Sequence, residues 1–242
     1  MAQKIWDNVT VPVGVIQIVK NIEESPDDYT ELARDMNSNG YIVYCADDEA
    51  AAIDDAVKIQ QKTVTKLRKK YLLPVFLIGH KYGAIVAQEV LKYCDDCVGG
   101  VCVSCTRYPT TRSVLGLAAI MAWIGAKLRG KNARPLILNA WDGCAQPRMS
   151  YGFYYALFKK LIQHSSGHAV KKPLLIIGNG LDVSKINGKL AQTMYNTYNV
   201  HDLNNLTLIV YPDVKNNLMQ SEIYSNVRND ILEFLRHRNV QQ

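Results

Sequence analysis

Residues 73–90 read LPVFLIGHKYGAIVAQEV. An apolar, strand-like run ends at Gly79, and a helical period begins after Gly83. A strand that turns directly into a helix leaves little room in the turn. Glycines at 79 and 83 suit the two places where a larger side chain would collide, and the residue between them is held with its side chain at the upper edge of the sheet. This is the pattern of a nucleophile elbow, flanked here by His80 and Tyr82. Its central residue, where a Ser, Cys or Asp would stand, is Lys81.

Outward from the elbow, short β-rich runs at 11–19, 41–46, 75–78, 98–104, 174–177 and 206–211 alternate with helical periods. That alternation predicts an α/β fold, a mostly parallel sheet with helices on both faces. The first helix is well marked, with Ser25 as its N-cap, Pro26 at its first position and Gly40 just past its end. Helices at 50–71 and 82–93 fill the next crossovers, and a last one runs from about 220 to 238. The segment 107–169 interrupts the alternation. It holds two apolar helical runs, LGLAAIMAWIGAKL (115–128) and YGFYYALFKKL (151–161). It reads as a helical lid or cap inserted between a first core part, 1–106, and a second, 170–242, over the carboxyl ends of the strands. Three uses are open to these helices: packing on the core, covering an apolar pocket, or lying on a membrane surface. The last is suggested by the uncharged run 114–126 between Arg112 and Lys127, with Arg129 and Lys131 beyond.

The 242 residues, 48% hydrophobic and 21% charged, suffice for one α/β domain with an insertion and exclude a disordered chain. The net charge of +6 comes from short basic clusters such as KLRKK and KLRGK, without any RRM, KH or zinc-finger signature, so no nucleic-acid partner is expected. The polar start without a leader implies a cytoplasmic protein. The run 114–126 is short of the roughly twenty residues that span a bilayer. Cys94, Cys97, Cys102 and Cys105 form two C-x-x-C pairs, but only VGGV separates them, too little chain for a zinc ribbon to fold back. They read as small core hydrophobes, and neither metal nor cofactor is expected.

Together with the elbow, VGVIQIVKNIEESPDDYTELARDMNSNGYIVYCADD (13–48), KKPLLIIGNGLDVSKINGKL (171–190) and TLIVYPDVKNNLMQSE (207–222) resemble the lysophospholipase and monoacylglycerol lipase type of α/β-hydrolase, also called the serine aminopeptidase type, over nearly the whole chain. The resemblance implies an α/β-hydrolase fold and a serine triad. It places the nucleophile at Lys81, the acid at Asp182 and the base at Asn216. The oxyanion loop, a His-Gly pair in the family, falls on Lys20 and Asn21, with Tyr82 as the second backbone donor. The family's glycine-rich stretch after the next strand is replaced by DDEAAAIDD (47–55).

Such a chain lacks the acyl acceptor and the proton shuttle together. The expected function is therefore that of a catalytically inactive member of the fold, a pseudoenzyme that binds a small apolar or acyl ligand or interacts through its surface. The alternatives are an enzyme using Lys81 in non-serine chemistry, such as a Schiff base, and residual lipase or esterase activity. Asp182 is the expected ion-pair partner of Lys81.

Overall fold

The computed structural model describes residues 3–22, 24–47, 50, 52–104, 112–133, 150–164, 170, 172–179, 206–211, 214, 218–220 and 222–239. Among the described residues seven strands form one sheet: β1 (Gln3–Trp6), β2 (Gly14–Val19), β3 (Tyr41–Ala46), β4 (Val75–His80), β5 (Cys97–Val103), β6 (Leu174–Asn179) and β7 (Leu206–Tyr211). Their order is β1-β3-β2-β4-β5-β6-β7, with β1 antiparallel to β3 and every other pairing parallel. The six strands expected are present. The first of them starts at Gly14, later than expected, and β1 is an addition, an edge strand of four residues, QKIW, too short and polar to stand out.

Among the described residues the α-helices are α1 (Thr30–Ser38), α2 (Ile53–Tyr71), α3 (Tyr82–Tyr93), α4 (Arg112–Arg129), α5 (Tyr151–His164) and α6 (Tyr224–Asn239). The expected cap precedes α1: a capping box joins Ser25 and Asp28, and the first turn, Pro26–Tyr29, is a 3-10 turn. Gly40 follows at φ 90°, a left-handed conformation that favours glycine. The last helix starts later than expected, because a 3-10 turn at Leu218–Gln220 comes first.

Alternation along the strands divides the core in two. Val15, Leu77 and Ile176 face the side covered by α2, α3 and α5, where α2 contributes Ile53, Ala56, Val64 and Leu67 at helical spacing. Ile16, Ile18, Phe76 and Ile78 face α1 and α6, against Leu32, Met36, Val227, Ile231 and Leu235. Cys94, Cys97 and Cys102 are buried, and the Cys97 and Cys102 thiols donate to the carbonyls of Gly99 (3.4 Å) and Ala84 (3.5 Å), the behaviour of small core residues. Burial pushes the Cys97 thiol up to about 12. Cys105 lies outside the described residues.

Within 107–169, α4 and α5 pack on one another, and no strand occurs among the described residues of that segment. Their contact is close at Gly125, where a Cβ would stand 2.2 Å from the Tyr151 ring. Phe153, Tyr154, Leu157 and Phe158 of α5 are buried and join the sheet's core, with Tyr154 and Phe158 stacked at 6.1 Å. α4 is different: its alanines 119 and 122 face inward, and Leu117, Ile120, Met121, Ile124 and Leu128 are exposed.

Candidate functional site

The sheet order reverses at β2, whose neighbours β3 and β4 follow on opposite sides. Chains leaving the carboxyl ends of β2 and β4 therefore depart from one another, and a crevice opens where they part. The loop after β2 carries Lys20, Asn21 and Glu24 into this place, and the turn after β4 carries His80 and Lys81.

Lys81 sits at φ 49°, ψ −113°, the strained conformation expected of the elbow, and caps the N-terminus of α3. Its N–H donates to the Val103 carbonyl (3.0 Å) and its carbonyl accepts from the Ala84 N–H (3.0 Å), so both sides of the turn are tied down. The flanking glycines are required by space. A Cβ on Gly83 would stand 1.8 Å from the Val19 carbonyl oxygen, and one on Gly79 would stand 2.5 Å from the Ala84 Cα. The end of β2 thus abuts the elbow, which brings the two chain segments of the site together.

Around the elbow lies a cluster with Glu24 at its centre. One carboxylate oxygen, Oε2, accepts from His80 Nδ1 (2.7 Å) and from the Tyr29 hydroxyl; the other, Oε1, faces the Lys81 ammonium at 3.4 Å. Burial raises the Glu24 carboxyl, but the hydrogen bond and charge of His80, the Tyr29 hydroxyl and the Lys81 charge outweigh it and pull the group down to about 2. Burial and the charge of Glu24 push the Tyr29 phenol far up, so it keeps its proton and donates it. The same phenol oxygen accepts the Asn21 backbone N–H at 3.0 Å. Among the described residues Glu24 is the one partner of the Lys81 ammonium.

Lys20 is drawn aside. Its side chain is 8% exposed and pairs with Asp47 at 3.1 Å, the first residue of the acidic stretch after β3. Tyr82 opens α3, so its N–H belongs to the helical turn that lacks intrahelical acceptors. Its ring packs against Phe153 at 5.5 Å between centroids. Among the described residues the Tyr82 hydroxyl, His80 Nε2 and Ser104 Oγ are buried without a hydrogen-bond partner.

The structure therefore brings Lys20, Asn21, Gly79, His80, Lys81, Tyr82 and Gly83 together. Asp182 and Asn216, the expected acid and base positions, lie outside the described residues, as does the expected Lys81–Asp182 pair. Sequence reasoning missed Glu24 and Tyr29. The segment EESPDD (23–28) holds four carboxylates in six residues, and nothing local marks the one that turns inward.

No protein-family model matches the chain. A monoglyceride lipase homolog of monkeypox virus is 31% identical over 105 residues, 38% of this chain and 37% of that protein, so the chain matches little more than a third of that relative's length. Solved structures agree over nearly the whole chain. A carboxyl esterase from Bacillus coagulans superposes with TM-score 0.74 at 15% identity, covering 98% of this chain and 94% of that one. A monoacylglycerol lipase from Paleococcus ferrophilus gives 0.73 at 16%, covering 98% of each. A soluble variant of monoglyceride lipase from Saccharomyces cerevisiae gives 0.74 at 16%, covering 98% and 91%. With its reversed strand order, its elbow and these structural neighbours, the chain has the α/β-hydrolase fold.

Proposed function

We propose that this chain is a catalytically silent α/β-hydrolase that binds a small apolar or acyl ligand instead of cleaving an ester. One observation carries the reading: the elbow's central position holds an ammonium ion-paired to Glu24 where a nucleophilic hydroxyl would have to stand. The oxyanion loop supports it, because the Asn21 N–H already donates to Tyr29 and is not free to meet an oxyanion. The Tyr82 hydroxyl, Ser104 hydroxyl and His80 Nε2, buried and without a partner among the described residues, offer polar capacity that a ligand's head group could take up. Lys81 as an amine nucleophile is the less favoured chemistry, since it would first have to give up its pair with Glu24.

The test is direct. A fluorophosphonate probe is expected to leave the protein unlabelled, p-nitrophenyl esters to be hydrolysed no faster than by heat-denatured protein, and a fluorescent acyl probe to bind. Labelling that vanishes on mutating one serine would overturn the silent reading, and failure of every acyl probe would overturn the ligand class. Borohydride trapping of an aldehyde on Lys81 would establish amine chemistry in its place.

A further inference from the structure

We infer that the outer face of α2 is a docking surface for the phosphate backbone of duplex nucleic acid, bound through charge and without regard to sequence. The reading is independent of what happens at the elbow.

α2 buries Ile53, Ala56, Val64 and Leu67 against the sheet, and this fixes which of its residues point outward. Lys58, Lys62, Lys66 and Lys69 are all exposed, and their spacing of four, four and three positions sets them in one row. Lys70, beside the end of the row, is turned to the Tyr71 hydroxyl at 2.9 Å. The sequence holds no acid between Asp55 and Glu89, and Glu89 is buried. Asp96 reaches α2 from the turn before β5, but it accepts from the Thr65 hydroxyl at 2.6 Å. Among the described residues the four lysines of the row have neither an ion-pair nor a hydrogen-bond partner.

Folding does not account for this row. Like charges four residues apart on a helix repel one another, and a face made only for solvent mixes them with acids. The helix dipole favours cations in the last turn, which covers Arg68, Lys69 and Lys70 but not Lys58, Lys62 and Lys66.

Charge and spacing select the occupant. From Lys58 to Lys69 the row runs about 16 Å along the helix axis. One strand of a duplex carries a phosphate about every 3.4 Å, so about five phosphates lie along that length, opposite the four ammonium groups. Lysine meets a phosphate as a point charge and needs no fixed geometry. A protein partner fits less well, because protein interfaces have an apolar centre from which lysine is depleted. None of the large exposed apolar side chains among the described residues belongs to α2. Exposed salt bridges to an acidic protein contribute little each, whereas counterions released from a nucleic acid add up with every phosphate covered. In the sequence the basic clusters were short and without a recognition module, which gave no reason to expect this partner; on the folded helix they form a backbone site with nothing that reads a base.

The experiment is fluorescence anisotropy of the full chain with two DNA duplexes of unrelated sequence across a salt series, and with poly-glutamate for comparison. Two variants of equal charge loss are compared: Lys62→Gln with Lys66→Gln on α2, and Lys127→Gln with Arg129→Gln on α4. All four positions are exposed, and matching thermal melts confirm folding. Both duplexes are expected to bind alike, with a slope of log affinity against log salt of about −3.6, the value for four phosphate contacts. The α2 variant should reduce that slope by about two and weaken binding in dilute salt at least about tenfold, and the α4 variant should leave the slope unchanged. Should the α2 variant fail to fold, Lys62→Gln alone, with a slope reduced by about one, decides. Absence of binding in dilute salt, a preference for one duplex, an unchanged slope in the α2 variant, or equal losses in the two variants would overturn the proposal. So would poly-glutamate bound as tightly as DNA, which would assign the face to an acidic protein.

Discussion

The Lys81 ammonium and the Glu24 carboxylate meet at 3.4 Å from positions 57 residues apart in the chain. Their meeting depends on the strand order, since the ends of β2 and β4 lie side by side only because β3 inserts on the far side of β2. Glu24 also holds His80 and Tyr29, so one carboxylate organises the whole upper edge of the site.

Removing that carboxylate should be costly. Glu24→Gln keeps the shape but strands the Lys81 charge and weakens the anchors of His80 and Tyr29. Breaking a buried pair costs roughly 3–5 kcal/mol, and water reaching a Lys81 side chain that is 29% exposed reduces the figure to about 2–3 kcal/mol. Guanidinium unfolding of both proteins measures the difference, and a loss under about 0.5 kcal/mol would contradict the central role of Glu24.

The same group sets an acid dependence. Its carboxyl is lowered from 4.5 to about 2 in the folded chain, so its contribution is fully present above about pH 4.5 and is lost as pH falls toward 2. The shift corresponds to stability on the order of 3 kcal/mol. Across that window the wild type should lose stability more steeply than Glu24→Gln, and the two curves should converge near pH 2. Parallel curves would show that Glu24 is not the responsible group.

Glycine positions provide a steric prediction. Gly83→Ala places a methyl 1.8 Å from the Val19 carbonyl oxygen and should cost more than about 4 kcal/mol, enough to prevent folding. Gly130→Ala meets nothing within 4 Å and suffers only from its φ of 93°, a loss of about 1 kcal/mol. Comparable expression and melting of the two variants would refute the tight elbow.

Rebuilding the triad should not rebuild the enzyme. In Lys81→Ser with Asn216→His the Asn21 N–H remains engaged by Tyr29, and loss of one oxyanion donor alone lowers kcat about 100- to 1000-fold. Hydrolysis of p-nitrophenyl butyrate by the double variant is expected at least about a hundredfold below an ordinary esterase. Activity within about tenfold of one would mean that the oxyanion site is still preorganised.

The elbow was legible because its requirement is local: Gly79 and Gly83 answer clashes within one turn, and the strand and helix beside them carry opposite periodicities. The capped start of α1 was legible for the same reason. Glu24 was not, because its role depends on which strands become neighbours, and its segment looks like any acidic helix start. β1 was hidden by length, its pairing set by β3 and not by its own residues. The orientation of α4 also escaped hydropathy, which counts LAAIMAWI as apolar from every side; only the contact of Ala119, Ala122 and Gly125 shows which side faces in.

One consequence of that outward-facing helix concerns the handling of the protein in solution. The apolar face of α4 and the net +8 of residues 107–169, nine Lys and Arg against one Asp, oppose one another whenever two molecules approach: charge repels at long range, and apolar surface attracts on contact. Added electrolyte screens the first and leaves the second. Colloidal stability should therefore be greatest in dilute buffer and decline as sodium chloride is raised, so a salting-out step would gather this chain earlier than its modest overall hydropathy suggests.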